Sequence, residues 1–105
     1  ALELIAQSGN IIRFFSGGNH VSNIDTNGHL HPQVNNTYDL GTTSLRWRNL
    51  YVNDLQLSNE AKKDEGGNDV DGTWGDWTLQ EGESDIYMIN NRTGKKYSMV
   101  LKEVS

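Results

Sequence analysis

The sequence predicts an all-β protein, and three observations carry that expectation. Turn-forming residues recur in nearly every block of ten, short apolar runs lie between them, and no segment shows a sustained helical stripe. The 105 residues include 12 Asn and 11 Gly, the types that tolerate positive φ in tight turns. The runs are LELIA, IIRFF, LYVNDLQL, WTLQE, DIYMIN and KYSMVLKEV. Each has the length of a strand, and several alternate.

LELIA and IIRFF open the chain as extended segments. NIDTNGHLH follows, with Asn27-Gly28 as its hairpin signal. Further on, Tyr51, Asn53, Leu55 and Leu57 form one face of an alternating run that also holds Val52, Asp54 and Gln56. Most of the apolar weight falls on the first face. SNEAKKDE, residues 58–65, is the nearest helical candidate, and Ser58 suits the cap of a single turn. It has almost no apolar face, so a solvated loop is expected. Residues 59–72 are charged and glycine-rich, with Val70 as their one large apolar residue. They read as a linker or long loop. The expected division is therefore 1–58, a linker at 59–72, and 73–105.

The last part reads as a three-strand β-meander: WTLQE, a turn at Gly82–Ser84, DIYMIN, a turn at Asn90–Gly94, and KYSMVLKEV. In its middle strand Ile86 and Met88 face one side, and Tyr87 and Ile89 face the other. Apolar groups on both faces require two covers. One small meander cannot supply both, so the second comes from elsewhere in the chain or from another chain.

Composition narrows the function classes. Only 34% of residues are hydrophobic, and there is no cysteine. Disulfides and thiolate zinc sites are excluded, and oligomerisation is one route to the missing apolar burial in so small a scaffold. The net charge of −5, from 14 acidic and 9 basic residues, argues against a nucleic-acid partner, which needs a basic face. It also disfavours docking on anionic lipid. No apolar run approaches the ~20 residues of a membrane span. No signal peptide is visible, and residue 1 is Ala, as expected of a fragment or processed end of a longer protein.

The stretch TYDLGTTSLRWRNLYVNDLQLS resembles a DLG-S-x-x-RW-N-L-Y motif found near the C-terminal ends of bacteriophage tail fibres and tail spikes. Tyr38, Asp39, Leu40, Gly41, Ser44, Arg46, Trp47, Asn49, Leu50 and Tyr51 carry the match. Ile24, Gly28, Leu30 and Pro32 match an I-x-x-x-G-x-L-x-P hairpin that often precedes it. The tail from Gly75 to Val104 is similar to the closing segment of some marine-phage structural proteins, so the resemblance spans roughly residues 24–105. It implies an elongated extracellular homotrimer of the virion, with intertwined short strands in residues 1–58 and a tip module in 73–105. Fibres that end in a removable chaperone carry a self-cleaving serine in an S-D-x-R-L-K context. LSNEAKKDEG lacks that run, so a permanent tip is expected.

On this reading Leu40, Leu45, Trp47, Leu50, Tyr51, Leu55 and Leu57 form the trimer core. Asp39-Leu40-Gly41 suits a tight turn in which the Asp side chain accepts backbone N–H groups. In a strand, Arg46 and Arg48 face away from Trp47 and are free to pair with carboxylates of a neighbouring chain or stack on a ring. Composition alone leaves Trp47 equally open as an ordinary monomeric core residue.

His29 and His31 form an H-x-H pair beside the Asn-Gly turn. A strand that buries Leu30 turns both rings outward into solvent. Around a threefold axis, two histidines per chain would give six imidazoles, a set for an octahedral transition metal. Phage fibres as a class hold axial iron in this way, although the usual hairpin of the motif lacks these histidines. No other cofactor is expected.

Catalytic signatures are absent. The chain has no cysteine nucleophile, no G-x-S-x-G and no H-E-x-x-H. Glu81/Glu83 flank a turn and Asp69/Asp71 lie in the glycine-rich loop, both as solvated pairs rather than the two positioned carboxyls of a glycosidase. NDVDG, residues 68–72, lacks the alternation and closing Glu of a calcium loop. Trp74, in the loop GTWGDW, is the candidate for contact with a host cell-surface glycan or protein, whereas Trp77 alternates with Leu79 and belongs to a core. The expectation is a non-enzymatic module that trimerises and caps a fibre, with host attachment as an added role. The alternative is a monomeric carbohydrate-binding adhesin domain.

Overall fold

A computed structural model describes residues 2–105. The chain forms two units, one ending at Arg46 and the other running Trp47–Ser105. Each holds one antiparallel sheet, and the only helical element among the described residues is a single 3-10 turn, Glu60–Lys62. The all-β expectation holds. No helix among the described residues is long and apolar enough to cross a membrane.

The first unit is a three-stranded meander of β1 (Ile12–Ser16), β2 (Asn19–Ile24) and β3 (Leu30–Pro32). Gly17 and Gly18 make a two-residue turn between β1 and β2. The register shifts between Phe14 and Phe15, which pair with Ser22 and His20 and leave Val21 as the extra residue of a bulge. Ile12, Ile24 and Leu30 form one cross-strand row, and Arg13, Asn23 and His31 form the next, pointing to the other face. Asn23 is buried on that second face; its Nδ2 donates to Gln33 Oε1 at 2.8 Å, and His20 Nε2 meets its Oδ1.

The Asn27-Gly28 hairpin forms, but with a different turn from the two-residue type that the dipeptide suggests. Asn27 does not adopt positive φ; Gly28 does, at 86°. Gly28 N–H donates to the Asp25 carbonyl at 3.0 Å, and Asp25 and His29 close the loop through Asp25 N–H to His29 O at 3.0 Å. This is a three-residue loop with a glycine bulge. The Asp25 carboxylate fixes it, because Oδ1 accepts the N–H groups of Asn27 at 2.9 Å and His29 at 3.0 Å.

The second unit contains four strands in the order β4 (Leu55–Ser58), β5 (Asp76–Glu81), β6 (Ile86–Asn90) and β7 (Lys96–Ser98). The C-terminal meander therefore has a fourth member that the sequence division places elsewhere. Leu55 pairs with Leu79 and Leu57 with Trp77, so the alternation of LQLS continues the apolar rows of the meander across to a new edge. The boundary at 59–72 thus falls inside one sheet, and residues 59–75 are a long loop between neighbouring strands rather than a linker between modules.

That loop is tied at its base. Asn59 Oδ1 accepts Gly75 N–H at 2.7 Å, and Asn59 N–H donates to Gly75 O at 3.3 Å. Ser58 Oγ accepts Glu60 N–H at 3.3 Å, but the cap position of the 3-10 turn is held by Asn59, one residue later than the sequence suggested, and its side chain makes no capping bond. Within the loop Gly67 has φ +69°, and a Cβ there would overlap the Gly72 carbonyl.

Residues 33–54 contain no strand. The strand reading of Arg46–Asp54 is therefore not realised within one chain. Thr42, not Asp39, supplies the turn acceptor: Thr42 N–H donates to Leu45 O at 2.8 Å, and Thr42 Oγ1 accepts Leu45 N–H at 2.9 Å.

Neither sheet encloses a core. Among the described residues no hydrophobic side chain is buried; the buried side chains are Asn23 and Thr78. Thr78 Oγ1 donates to Gln56 Oε1 at 2.7 Å and accepts Asn91 Nδ2 at 3.0 Å, while Asn91 Nδ2 also donates to Asp76 Oδ1 at 3.0 Å. Thr78→Val removes both bonds of the Thr78 hydroxyl; because Gln56 and Asn91 are exposed and can turn to water, it should cost about 0.5–1.5 kcal/mol in a denaturant melt. Gly67→Ala should cost more than Gly28→Ala, for which about 1–2 kcal/mol follows from positive φ alone, because only Gly67 adds a backbone overlap. Equal midpoints for the two alanine variants would contradict this loop geometry.

Candidate functional site

The second unit carries a groove of about 820 Å3 where the 59–75 loop and the β6–β7 turn meet the end of the sheet. Leu57 and Trp77 floor it, and Asn68, Asp71, Trp74 and Arg92 stand on its walls. Each wall is held by side-chain to backbone bonds. Asn68 Oδ1 accepts Val70 N–H at 2.8 Å and Asp71 N–H at 3.0 Å, and its Nδ2 donates to Thr73 O at 2.7 Å. Asp71 Oδ1 receives Asn68 Nδ2 at 2.7 Å, Thr73 Oγ1 at 2.8 Å and Thr73 N–H at 3.1 Å. On the opposite wall Asn90 Oδ1 accepts Arg92 N–H at 3.0 Å and Thr93 N–H at 3.3 Å, fixing the turn that projects Arg92.

Trp74 is half-buried, and one face of its indole is already taken. The Arg92 guanidinium carbon lies 3.7 Å from the ring centroid, and Nη1 donates to the Trp74 carbonyl at 2.8 Å. This is a cation–π stack fixed by a hydrogen bond. A sugar ring stacking on Trp74 must use its other face or displace Arg92. Trp77 sits beside Tyr97, with ring centroids 5.7 Å apart. Its Nε1 lies so close to Gly75 that a Cβ there would stand 2.9 Å away.

Sequence reasoning isolated Trp74 but missed Arg92, which lies 18 positions away and is brought to the indole by the β5–β6 pairing and the turn beyond it. The NDVDG loop turns its polar atoms inward. The Asn68 carbonyl oxygen and Asp71 Oδ1 are used by N–H and O–H donors of the loop itself, so the structure explains these residues as scaffold. Glu81 ends β5 and Glu83 lies in the following turn, both exposed.

In the first unit His29 and His31 are exposed. His31 lies on the face opposite Leu30, as alternation predicts, but Leu30 is itself 67% exposed. His31 Nδ1 is 2.8 Å from Pro32 O, and its Nε2 is 3.4 Å from Asp25 Oδ2. Both ring nitrogens face oxygen acceptors, so a metal on Nε2 would have to displace Asp25. Among the described residues no group of three or more His, Asp or Glu side chains is placed to hold an ion within one chain.

The expected trimer-core residues split between two settings. Leu55 and Leu57 lie on β4, in cross-strand rows with Leu79 and Trp77. Leu40, Leu45, Trp47, Leu50 and Tyr51 lie in the strandless segment and are all exposed, with Trp47 at 71% and Tyr51 at 88%. Trp47 is therefore not a core tryptophan of a single chain. Arg46 Nε donates to Thr43 O at 3.1 Å.

Two carboxyls are held below their ordinary pKa. For Asp25 the main cause is the His29 backbone N–H, with the Asn27 N–H and the charges of His29 and His31 adding to it. For Asp71 it is the Thr73 hydroxyl, then Asn68 and the Thr73 N–H. A depressed folded pKa means that the unfolded chain takes up protons first as pH falls. The stabilisation is therefore complete above the ordinary aspartate pKa and is lost as pH drops through the lower folded value. Side-chain carbon NMR should show Asp25 and Asp71 titrating below the ordinary aspartate value; ordinary midpoints for both would mean these turns are not formed. No family model, curated protein or solved structure matches this chain.

Proposed function

We propose that the chain is a structural module from the distal part of a phage tail fibre or tail spike, which trimerises and caps the fibre. The support is the resemblance in residues 24–105 together with one observation, the absence of any buried apolar side chain among the described residues. Leu40, Leu45, Trp47, Leu50 and Tyr51 supply much of the exposed apolar surface of the motif, and burying them against neighbouring chains is their proposed role.

Host-surface attachment is the second part of the proposal, favoured by the groove. The free face of the half-buried Trp74 indole, which lines the groove opposite to its Arg92 stack, suits the apolar C–H face of a sugar. The iron reading of His29 and His31 requires three chains and the release of Asp25.

Light scattering on the purified protein should give three times the chain mass, and a compact single chain that melts cooperatively would favour the monomeric adhesin instead. Within the trimer, Trp47→Ala should lower the midpoint of dissociation markedly while leaving the sheet circular dichroism of each unit intact. On a glycan array, wild type should bind and Trp74→Ala should lose binding at least tenfold; silence from both leaves the module purely structural. Elemental analysis should find one transition metal per three chains if the histidines serve that role, and a lower ratio ends it.

A further inference from the structure

We propose that Asn27 is a site of spontaneous deamidation and that Asp25 is the latch that sets its rate. Asn27-Gly28 is the one Asn-Gly step in the sequence. Asn27 is exposed, and its side-chain amide makes no hydrogen bond among the described residues. Glycine has no Cβ to shield its nitrogen. In the reaction the Gly28 nitrogen attacks Asn27 Cγ and forms a new C–N bond. The bond from Cγ to the amide nitrogen breaks, and ammonia leaves with the proton that the Gly28 nitrogen gives up. Water then opens the five-membered succinimide at either carbonyl, giving aspartate or isoaspartate. No oxidant or reductant is consumed.

The folded loop opposes ring closure. Gly28 N–H donates to Asp25 O at 3.0 Å, and neither Thr26 nor Asn27 has positive φ. That combination is a type I turn with Asn27 in its third position, where ψ is about 0°. The Gly28 nitrogen then eclipses Asn27 N rather than Cβ and points away from Cγ. Asp25 holds this geometry twice over: its carbonyl takes Gly28 N–H, and Oδ1 takes the N–H groups of Asn27 at 2.9 Å and His29 at 3.0 Å. Opening of the loop therefore precedes the chemistry. The chain's one Asp-Gly step, Asp71-Gly72, is the internal comparison. Gly72 N–H donates to Asn68 O at 3.2 Å, and Asp71 Oδ1 is occupied by Asn68 and Thr73. An ionised carboxylate is also a poorer electrophile than an amide. Conversion of Asn27 adds a carboxylate two residues from Asp25. As isoaspartate it also adds one main-chain carbon to a three-residue loop. The pairing of β2 with β3, which rests on Ser22–Pro32, Asn23–His31 and Ile24–Leu30, is loosened as a result.

Incubating the full chain at neutral pH and following residues 27 and 71 by peptide mass spectrometry, with isoaspartate separated chromatographically, tests this. Asn27 should convert at least tenfold more slowly in the native chain than in the chain unfolded in urea. Asp25→Ala, with its sheet circular dichroism intact, should speed native conversion of Asn27 at least fivefold, because the turn loses both side-chain bonds. Asp71 should lag behind Asn27 in the native wild type. Equal rates for native and unfolded wild type overturn the latch, as does an Asp25→Ala chain that keeps its sheet and converts at the wild-type rate. Faster conversion at Asp71 overturns the choice of site. Where Asp25→Ala loses its sheet, amide exchange in the wild type decides. Slowed exchange at both Gly28 and His29 supports the latch, and free exchange at either overturns it.

Discussion

A single β-layer with no second layer over its apolar side chains is the constraint on which the rest of the molecule depends. Such a layer is stable only when a second layer covers its apolar face, and among the described residues neither sheet of this chain buries one hydrophobic side chain. Side chains left half in water contribute only part of the ~25 cal/mol per Å2 that burial provides. Ordering the backbone costs its full entropy regardless. In the proposed trimer, stability would therefore depend on chain concentration, as in obligate oligomers.

In place of a core, the chain is organised by short polar side chains bonded to nearby backbone. Asp25, Asn59, Asn68 and Asn90 each fix a turn or loop by accepting main-chain N–H groups. Thr78 and Asn91 bind three strands together on one face. Each such bond adds a modest net amount, but these bonds set strand register and loop shape within one chain. This accounts for the abundance of asparagine. The amide offers both an acceptor for the turn and a donor for a neighbour, and Asn68 uses both.

The sequence carried the strands of the meander and the Asn-Gly hairpin clearly, because alternation and turn chemistry are local signals. It carried β4 less well. LQLS was visible as alternating, but its partner lies across a 17-residue loop, and only the pairing of Leu57 with Trp77 assigns it to the second unit. The turn at Gly28 was legible as a turn and not as a type, since that depends on Asp25 two and four residues upstream of the N–H groups it captures. In the motif stretch, the spacing of Leu45, Trp47 and Tyr51 suggested strand alternation, yet no neighbouring strand exists in the chain to pair with it. At the groove, Trp74 stood out by its glycine-flanked setting. Arg92 did not, because cation–π contacts leave no mark in spacing.

The clasp between Asn59 and Gly75 has a further consequence. Both hydrogen bonds that close the 59–75 loop lie at its two ends, so the strands it joins keep their alignment whatever lies between. Val70 stands at the far end, almost wholly in solvent. The register of β4 and β5 is thus set apart from the sequence at the tip around Val70, where a change leaves both strands in step.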